Sequence, residues 1–273
     1  MTFNLKGSTP QISFRKASVR ILGVPGITTL PIVRTKFDLS IWDGAAVTSS
    51  FVSDWTSVST KGFELEMDIE PTTLIVDPEN LQALISLLST LRSTASHTIT
   101  LRGHASVDLA LSVPLAALGV PIHLDLKTIP VLGAAVSTDM NLQGLNNFGG
   151  VARGLLDSVS AIEKVGASAG LVRFKIVLHN PASVTIQLGK IKFQVWTSSA
   201  KTDLLGIATY EEFNAVPGEN IADTVLEADS AAKLGEFFPV KTGFSLTFTG
   251  YDGSSDHPIA VGVMSSIEFI VEF

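Results

Sequence analysis

The chain contains no cysteine among its 273 residues. Disulfide staples, thiolate metal sites and cysteine nucleophiles are excluded together. Charge is scarce as well: Asp, Glu, Lys and Arg make up 16% of the chain against 45% hydrophobic residues, and mean hydropathy is +0.37. Disorder needs the opposite balance, so a folded chain is expected, with Ser and Thr supplying much of its polar exterior. Long apolar runs are missing too. No window holds the eighteen uninterrupted apolar residues that a spanning helix requires, and the nearest, 107–120, is broken by Asp108 and Pro114. The opening MTFNLKGSTP lacks the basic segment and apolar run of a signal peptide. As written, the sequence reads as soluble, or as the soluble region of a membrane-anchored extracellular or vacuolar protein.

Positive charge is in deficit. The net charge is −7, with residues 151–273 carrying 9 basic and 14 acidic groups and residues 1–150 carrying 10 and 12. A nucleic-acid surface needs clustered Lys and Arg to displace counterions, so nucleic acid is not an expected partner. General attraction to anionic lipid is disfavoured on the same ground, leaving only a local patch such as Arg15, Lys16 and Arg20.

What the chain does have is period-two alternation, the mark of half-buried strands. Ile267, Phe269, Val271 and Phe273 alternate with Ser266, Glu268, Ile270 and Glu272. Ile122, Leu124 and Leu126 do the same with His123, Asp125 and Lys127. The pattern recurs over Phe174–Leu178, Ile191–Val195, Phe37–Ile41, Phe63–Ile69, Thr98–Leu101 and Ser245–Phe248. Asp43-Gly44, Asn180-Pro181, Pro217-Gly218 and Asp252-Gly253 punctuate it as turns. Helical pattern is confined to three places. Asp77 caps an expected helix with Pro78 at its first position and Leu81, Leu84, Ile85, Leu88 and Leu91 in one stripe. Asp229 caps a shorter one carrying Leu234, Phe237 and Phe238. Val151–Val165 sets Leu155, Leu156, Val159 and Ile162 on one face, between Gly149-Gly150 and Gly166.

These elements recur in order, which predicts a duplicated supersecondary unit. Lys36-Phe37-Asp38-Leu39 and Trp42 match Lys192-Phe193-Gln194-Val195-Trp196. Phe63–Glu70 matches Asn220–Ala228, the capped helices follow, and Leu101-Arg102-Gly103 then matches Phe248-Thr249-Gly250. The fold expected is all-β: two tandem antiparallel β-sandwich modules, each with a short amphipathic helix, joined by a partly helical connection. The expected division is 1–140 for the first module, 141–170 for the connection and 171–273 for the second.

Chemistry-bearing motifs are thin. Gly166-Ala167-Ser168-Ala169-Gly170 matches the serine-hydrolase elbow in letters, but that elbow needs a strand before the Ser and a helix after it. Here a helical pattern precedes and a strand follows, so a small-residue linker is expected. His97, His104, His123, His179 and His257 lack the i, i+4 spacing of a helical zinc site; His104 and His257 fall near corresponding places of the two copies. Asp252-Gly253-Ser254-Ser255-Asp256 lacks the spaced carboxylates of a calcium loop and reads as a turn. Glu64, Glu66, Asp68 and Glu70 share one face of a strand, a solvated face that discourages strand addition. No phosphate-cradling glycine loop is present. An apolar groove is the remaining candidate site: Leu84, Leu88 and Leu91 of the first helix and Leu234, Phe237 and Phe238 of the second, each helix lying beside its own sheet.

The strand Phe174–Asn180, followed by Pro181 and by Gly189-x-Ile191-x-Phe193-x-Val195, resembles the late-embryogenesis-abundant type 2 (water-stress and hypersensitive-response) domain. The order Asn80–Arg92, Leu101-Arg102-Gly103, Leu142-Gln143-Gly144-Leu145-Asn146-Asn147-Phe148 and Asn180-Pro181 is similar to an uncharacterised fungal family of tandem β-domain, often membrane-anchored proteins. The resemblance covers about 75–273. It implies a seven-strand-like antiparallel sandwich per module, no catalytic set, and roles in membrane association, stress protection or lipid handling. The chain departs from the fungal pattern in having no N-terminal spanning helix, no glycosylation sequon and no Asn-Pro strand in its first copy. Asn180 and Pro181 are expected to be structural, since Pro cannot continue a central ladder and Asn closes turns through its side chain. The functional expectation is a non-catalytic binding or interaction module, acting on a lipid or at a membrane surface, or on a protein partner at strand edges. A structural or stress-protective scaffold is the alternative, and a serine hydrolase using Ser168 a lower one. No cofactor and no metal are expected.

Overall fold

A computed structural model of the chain describes all residues except 7–8, 21–31, 62–63, 115–122, 147–150, 239–242, 256 and 266. The expectations placed on Phe63, Ile122, Asn147, Phe148, Gly149-Gly150, Asp256 and Ser266 lie outside the described residues. In chain order the strands are β1 (Thr2–Asn4), β2 (Gln11–Arg20), β3 (Ile32–Asp43), β4 (Ala46–Val52), β5 (Thr56–Ser57), β6 (Ser59–Lys61), β7 (Glu64–Ile75), β8 (Ser96–Pro114) and β9 (His123–Gln143). Then come β10 (Val151–Leu155), β11 (Glu163–Val165), β12 (Ala169–Asn180), β13 (Thr185–Trp196), β14 (Leu204–Ala215), β15 (Gly218–Ala228), β16 (Ser245–Thr249) and β17 (Glu268–Glu272). The helices are α1 (Leu81–Ser93), α2 (Ala231–Gly235) and α3 (Pro258–Met264). The protein is all-β in class, as its alternation predicts.

Contacts divide the chain into two units. Unit 1 holds Met1, Gln11–Asn80 and Ile99–Met140; unit 2 holds Thr2–Pro10, Leu81–Thr98 and Asn141–Phe273. Thr2–Pro10 and α1 go with the second unit. The expected connection at 141–170 is not a separate segment. Val151–Val165 folds as β10, a 3-10 turn at Leu156–Ser158, and β11. The reason is lateral hydrogen bonding. Ser158 Oγ accepts the Lys175 N–H at 2.7 Å and Ser160 Oγ accepts the Arg173 N–H at 3.0 Å. These bonds stitch the segment to β12, which a helix could not do.

In unit 2 the pairings β12–β15, β15–β14, β14–β13, β13–β16, β16–β17, β17–β10 and β10–β12 return to their start. The sheet closes into a barrel, which removes free edges from its main strands. All these pairs are antiparallel except β10–β17, and β1 adds in parallel to β13. The inward side of the alternation fills the barrel with aromatic rings. Phe193 lies 5.2 to 6.2 Å from the rings of Tyr210, Phe248 and Phe269. A second group joins Phe174, Phe238, Phe244 and Phe273, where Gly154 leaves room that a Cβ would take from the Phe273 ring. In unit 1 the pairings run β2–β7–β4–β3–β8, with β5 adding to β3 and β6 to β7. Ile12, Phe14, Phe37, Leu39, Ile41, Phe51 and Leu74 are buried.

The two units share parts of their strand register. Trp42, Ile41 and Ser40 stand opposite Thr100, Leu101 and Arg102, while Trp196, Val195 and Gln194 stand opposite Thr247, Phe248 and Thr249. Phe51 lies between Leu39 and Leu74 as Ala208 lies between Phe193 and Leu226. This corrects two sequence matches. With Trp42 on Trp196 and Leu39 on Phe193, the counterpart of 36–39 is 190–193 rather than 192–195. The interval from Phe51 to Leu74 is 23 residues and that from Ala208 to Leu226 is 18, so the second hairpin is five residues shorter. The counterpart of Asn220–Ala228 is therefore 68–76 rather than Phe63–Glu70.

Candidate functional site

The groove residues belong to two different packings. Leu84, Leu88 and Leu91 are buried on α1, which packs against α3, and Gly262 of α3 gives the space that Ile85 occupies. Leu234 is buried on α2, which packs on β12 and β15, and Phe238 is buried in the turn that follows the helix. Phe238 stacks on Phe174 at 5.4 Å, and half-buried Phe237 meets Phe244 at 5.7 Å. The expectation of one helix beside each copy's own sheet is therefore corrected, because α1 finds its apolar partner in α3. Three depressions are lined by other residues, at β5–β7, at β14–β15 and along Arg153–Ser158 with Lys175.

The α1 end is closed from far along the chain. The N–H groups of Gly144, Leu145 and Asn146 donate to the carbonyls of Ala95, Leu91 and Thr94. The Leu91 carbonyl would otherwise be an orphan acceptor of the helix C-terminus, and Thr94 and Ala95 follow directly after the helix. A Cβ on Gly144 would sit 2.2 Å from the Thr94 carbonyl oxygen and 2.5 Å from that of Leu91, so only glycine lets the strand approach. The Leu142–Asn146 motif is thus a helix clamp. Helix α3 itself was missed by the sequence reading. Pro258 in its first turn, followed by buried Ile259, Ala260, Val263 and Met264, is the signal that marks it.

The other candidates resolve into structure. Asn180 is buried; its Nδ2 donates to the carbonyls of Val184 and Ala215, and its Oδ1 accepts the Ala182 N–H at 2.8 Å. It closes the β12–β13 turn beside Pro181 and ties that turn to β14. Asp77 shows no side-chain cap; its carbonyl accepts the Asn80 N–H in a 3-10 turn at Pro78–Asn80 that precedes α1. Asp229 gives way to its neighbour Ser230, whose Oγ accepts the Lys233 N–H at 3.2 Å. Ser168 lies on the exposed turn between β11 and β12, where its carbonyl accepts the Ala231 N–H; that is strand–turn–strand, without the elbow's helix. Asp252 and Gly253 belong to a turn locked by Ser254, whose Oγ accepts the Tyr251 N–H and whose carbonyl accepts the Lys192 N–H. His104 lies within β8, opposite Asp38, and His257 stands at the N-cap position of α3 without a side-chain cap. Among the described residues no three His, Cys, Asp or Glu side chains gather as a metal site.

The geometry instead singles out one place that occurs in both units. In unit 2, β14 and β15 are paired only from Ile207 to Thr209. Beyond that β14 stays with β13 while β15 stays with β12, so the hairpin splays. The gap is a depression of about 300 Å³ lined by Leu178, Glu212–Val216 and Glu219–Ala222. Asn220 holds its tip, accepting the Val216 N–H at 2.8 Å and donating to the Val216 and Gly218 carbonyls. A hydrogen bond from Lys6 holds the Glu212 carboxyl below its ordinary value, with the Lys6 charge and Asn214 helping. Asn214 Oδ1 is buried there without a partner among the described residues. At the point of divergence, burial pushes the Tyr210 phenol upward; Thr224 offsets part of this, although the two hydroxyls do not meet hydrogen-bond geometry.

In unit 1, β4 and β7 pair at Ser50–Phe51 with Leu74–Ile75, and β6 and β7 pair at Ser59–Lys61 with Glu64–Glu66. No ladder joins them in between. Ser53 causes the departure: its N–H donates to the Phe37 carbonyl and its Oγ accepts the Phe37 N–H, which keeps the chain on β3. The gap is a depression of about 670 Å³ lined by Lys16, Trp55–Ser59, Glu66, Met67, Asp68 and Glu70. Trp55–Ser59 are the fourth to eighth residues after Phe51, as Glu212–Val216 are after Ala208. Glu66–Glu70 precede Leu74 by the same count as Gly218–Ala222 precede Leu226. The openings are equivalents.

Residues 105–195 match the model of a family described as a protein of unknown function, DUF3712. The match runs from within β8, through the Leu142–Asn146 clamp, to the end of β13. No curated protein and no solved structure matches the chain.

Proposed function

We propose that this chain is a non-catalytic interaction protein built from two copies of one β module, binding its partner at the surface openings rather than in the interior. The observation that carries the reading is the equivalence of the two splayed hairpins. Their walls share almost no side-chain chemistry, yet each copy keeps the opening. The interior offers a ligand little room, since Phe174, Phe193, Phe238 and Phe248 are all buried against other rings. The resemblance to late-embryogenesis-abundant type 2 domains fits the same non-catalytic reading. Native mass spectrometry of purified protein tests it: the bare chain is expected, and a co-purifying lipid would replace surface binding with an interior site. A serine-directed probe is expected to leave Ser168 unlabelled, and labelling there would reinstate a hydrolase.

A further inference from the structure

The unit 1 opening has a wall built for one kind of occupant. Trp55 is 38% exposed, and the Arg34 guanidinium lies 4.9 Å from its ring. Arg34 is in turn paired through its Nε with Asp108, which is 3% exposed. A buried carboxylate thus fixes an arginine, and the arginine steadies an accessible indole at the rim. Thr56, Ser57 and Ser59 continue that wall with hydroxyls. Opposite, Glu66, Asp68 and Glu70 are exposed while Met67 and Ile69 between them are buried. The three carboxylates therefore stand on one face of β7 at the two-residue repeat of a strand, about 6.6–6.8 Å. Lys16 is the one cation lining the depression among the described residues, and its backbone N–H, at a positive φ of 53°, donates to Asp68 Oδ1 at 2.6 Å, which holds that carboxylate in place.

We infer that this opening docks an extended segment of a partner polypeptide carrying Lys or Arg at alternate positions. An extended chain lying along β7 presents side chains on one face at the spacing of the carboxylates. Three carboxylates against one ammonium give the charge complement, and Trp55 offers its ring to an alkyl stem or a cationic head. The facing residues 52–58 and 67–73 have no ladder between them, and each run is seven residues long, which matches a segment of about 23 Å. The unit 2 opening has Asn214, Asn220 and a Lys6-paired Glu212 at this position, so it lacks the row of carboxylates and the indole.

The inference rests on the surface-interaction reading, and the test separates the two. The probe is a blocked eight-residue peptide alternating Val and Lys, with the Val–Glu peptide and spermidine as controls. Binding is followed by backbone amide shifts of the full chain and by Trp55 fluorescence in a Trp42→Phe, Trp196→Phe background. The expected result is salt-sensitive binding of the Val–Lys peptide alone, with shifts at 52–58 and 66–73. The isosteric Glu66→Gln, Asp68→Asn, Glu70→Gln variant, which keeps the Oδ1 acceptor for Lys16, is expected to bind about tenfold more weakly. Trp55→Ala is expected to weaken binding as well. Equal binding of spermidine or of the Val–Glu peptide, or an unaltered affinity in the carboxamide variant, overturns the inference. Shifts confined to 212–222 or to β11 overturn it and leave the interaction reading standing. No shift anywhere at millimolar peptide counts against both.

Discussion

Units 1 and 2 share a pairing plan, yet they differ in what fills it. At one equivalent position unit 1 places Leu39 and unit 2 places Phe193, which is surrounded by Tyr210, Phe248 and Phe269. At another, Trp196 Nε1 donates to Thr249 Oγ1 at 2.8 Å, while Trp42 lies under the Arg102 guanidinium and its Nε1 is buried without a hydrogen-bond partner among the described residues. Among the described residues only the second unit shows a turn held by a buried Asn, and both α1 and α3 pack within it. The two units thus share strand registers, which are set by backbone hydrogen bonds and the period-two pleat. The side chains at matched positions differ. Unit 2 has become the aromatic, densely tied copy. Unit 1 keeps the wider opening and the row of carboxylates.

The largest effect that would break this contrast comes from the matched core pair. Phe193→Ala is expected to cost about 3–5 kcal/mol in urea denaturation, and Leu39→Ala about 2–3 kcal/mol. A reversed order would mean that unit 2 does not depend on its ring cluster. Asn180→Ala comes next at about 2–3 kcal/mol, since it strands two buried carbonyls and one N–H. Hydrogen exchange should show the loss in unit 2 residues around β12–β14 and leave β3 and β4 of unit 1 unchanged. The helix starts sharpen the comparison further. Ser230→Ala is expected to cost about 1 kcal/mol, and Asp77→Ala under about 0.5 kcal/mol, because only Ser230 makes the side-chain cap. Similar costs would show that Asp77 caps α1 in solution.

The smallest effect lies at the unit 2 opening. Glu212 is held below its ordinary value of 4.5 by Lys6. A depressed carboxylate lends stability that is fully present above its unfolded value and is lost as pH falls through the folded one. The stability difference between wild type and Lys6→Met is therefore expected to be small at neutral pH and to vanish progressively below 4.5. The pair is exposed, so salt should reduce the difference as well. A difference that grows on acidification would remove Lys6 as the cause.

Much of this architecture can be read in the residues. Alternation in β3, β13 and β17 tells which side chains go inward, and the stripe Leu84, Leu88 and Leu91 foretells a buried helix face. Other segments misled for physical reasons. Leu155, Leu156, Val159 and Ile162 satisfy a helical period by spacing alone, whereas Ser158 and Ser160 reach the backbone of β12 and hold the segment flat. The short run Pro258–Met264 carries too few turns for its period to stand out. The hairpin match slipped because alternation has no landmark to reveal a five-residue difference in length. The openings could not be read at all. The alternation of 210–215 breaks at Glu211-Glu212, but the separation of β14 from β15 depends on β13 and β12 competing for the two partners.

By itself the sequence determined the β class, the inward and outward faces, and the turns at Asn180 and Gly218. These follow from local periodicity and backbone preference, which neighbouring residues encode. Only the tertiary structure decided that α1 packs on α3, that Gly144 closes the end of α1 and that seven strands close into a ring. It also decided that each copy parts its hairpin at the same place. Those outcomes depend on which distant backbones approach one another, a competition settled by packing across tens of residues and invisible in any short window.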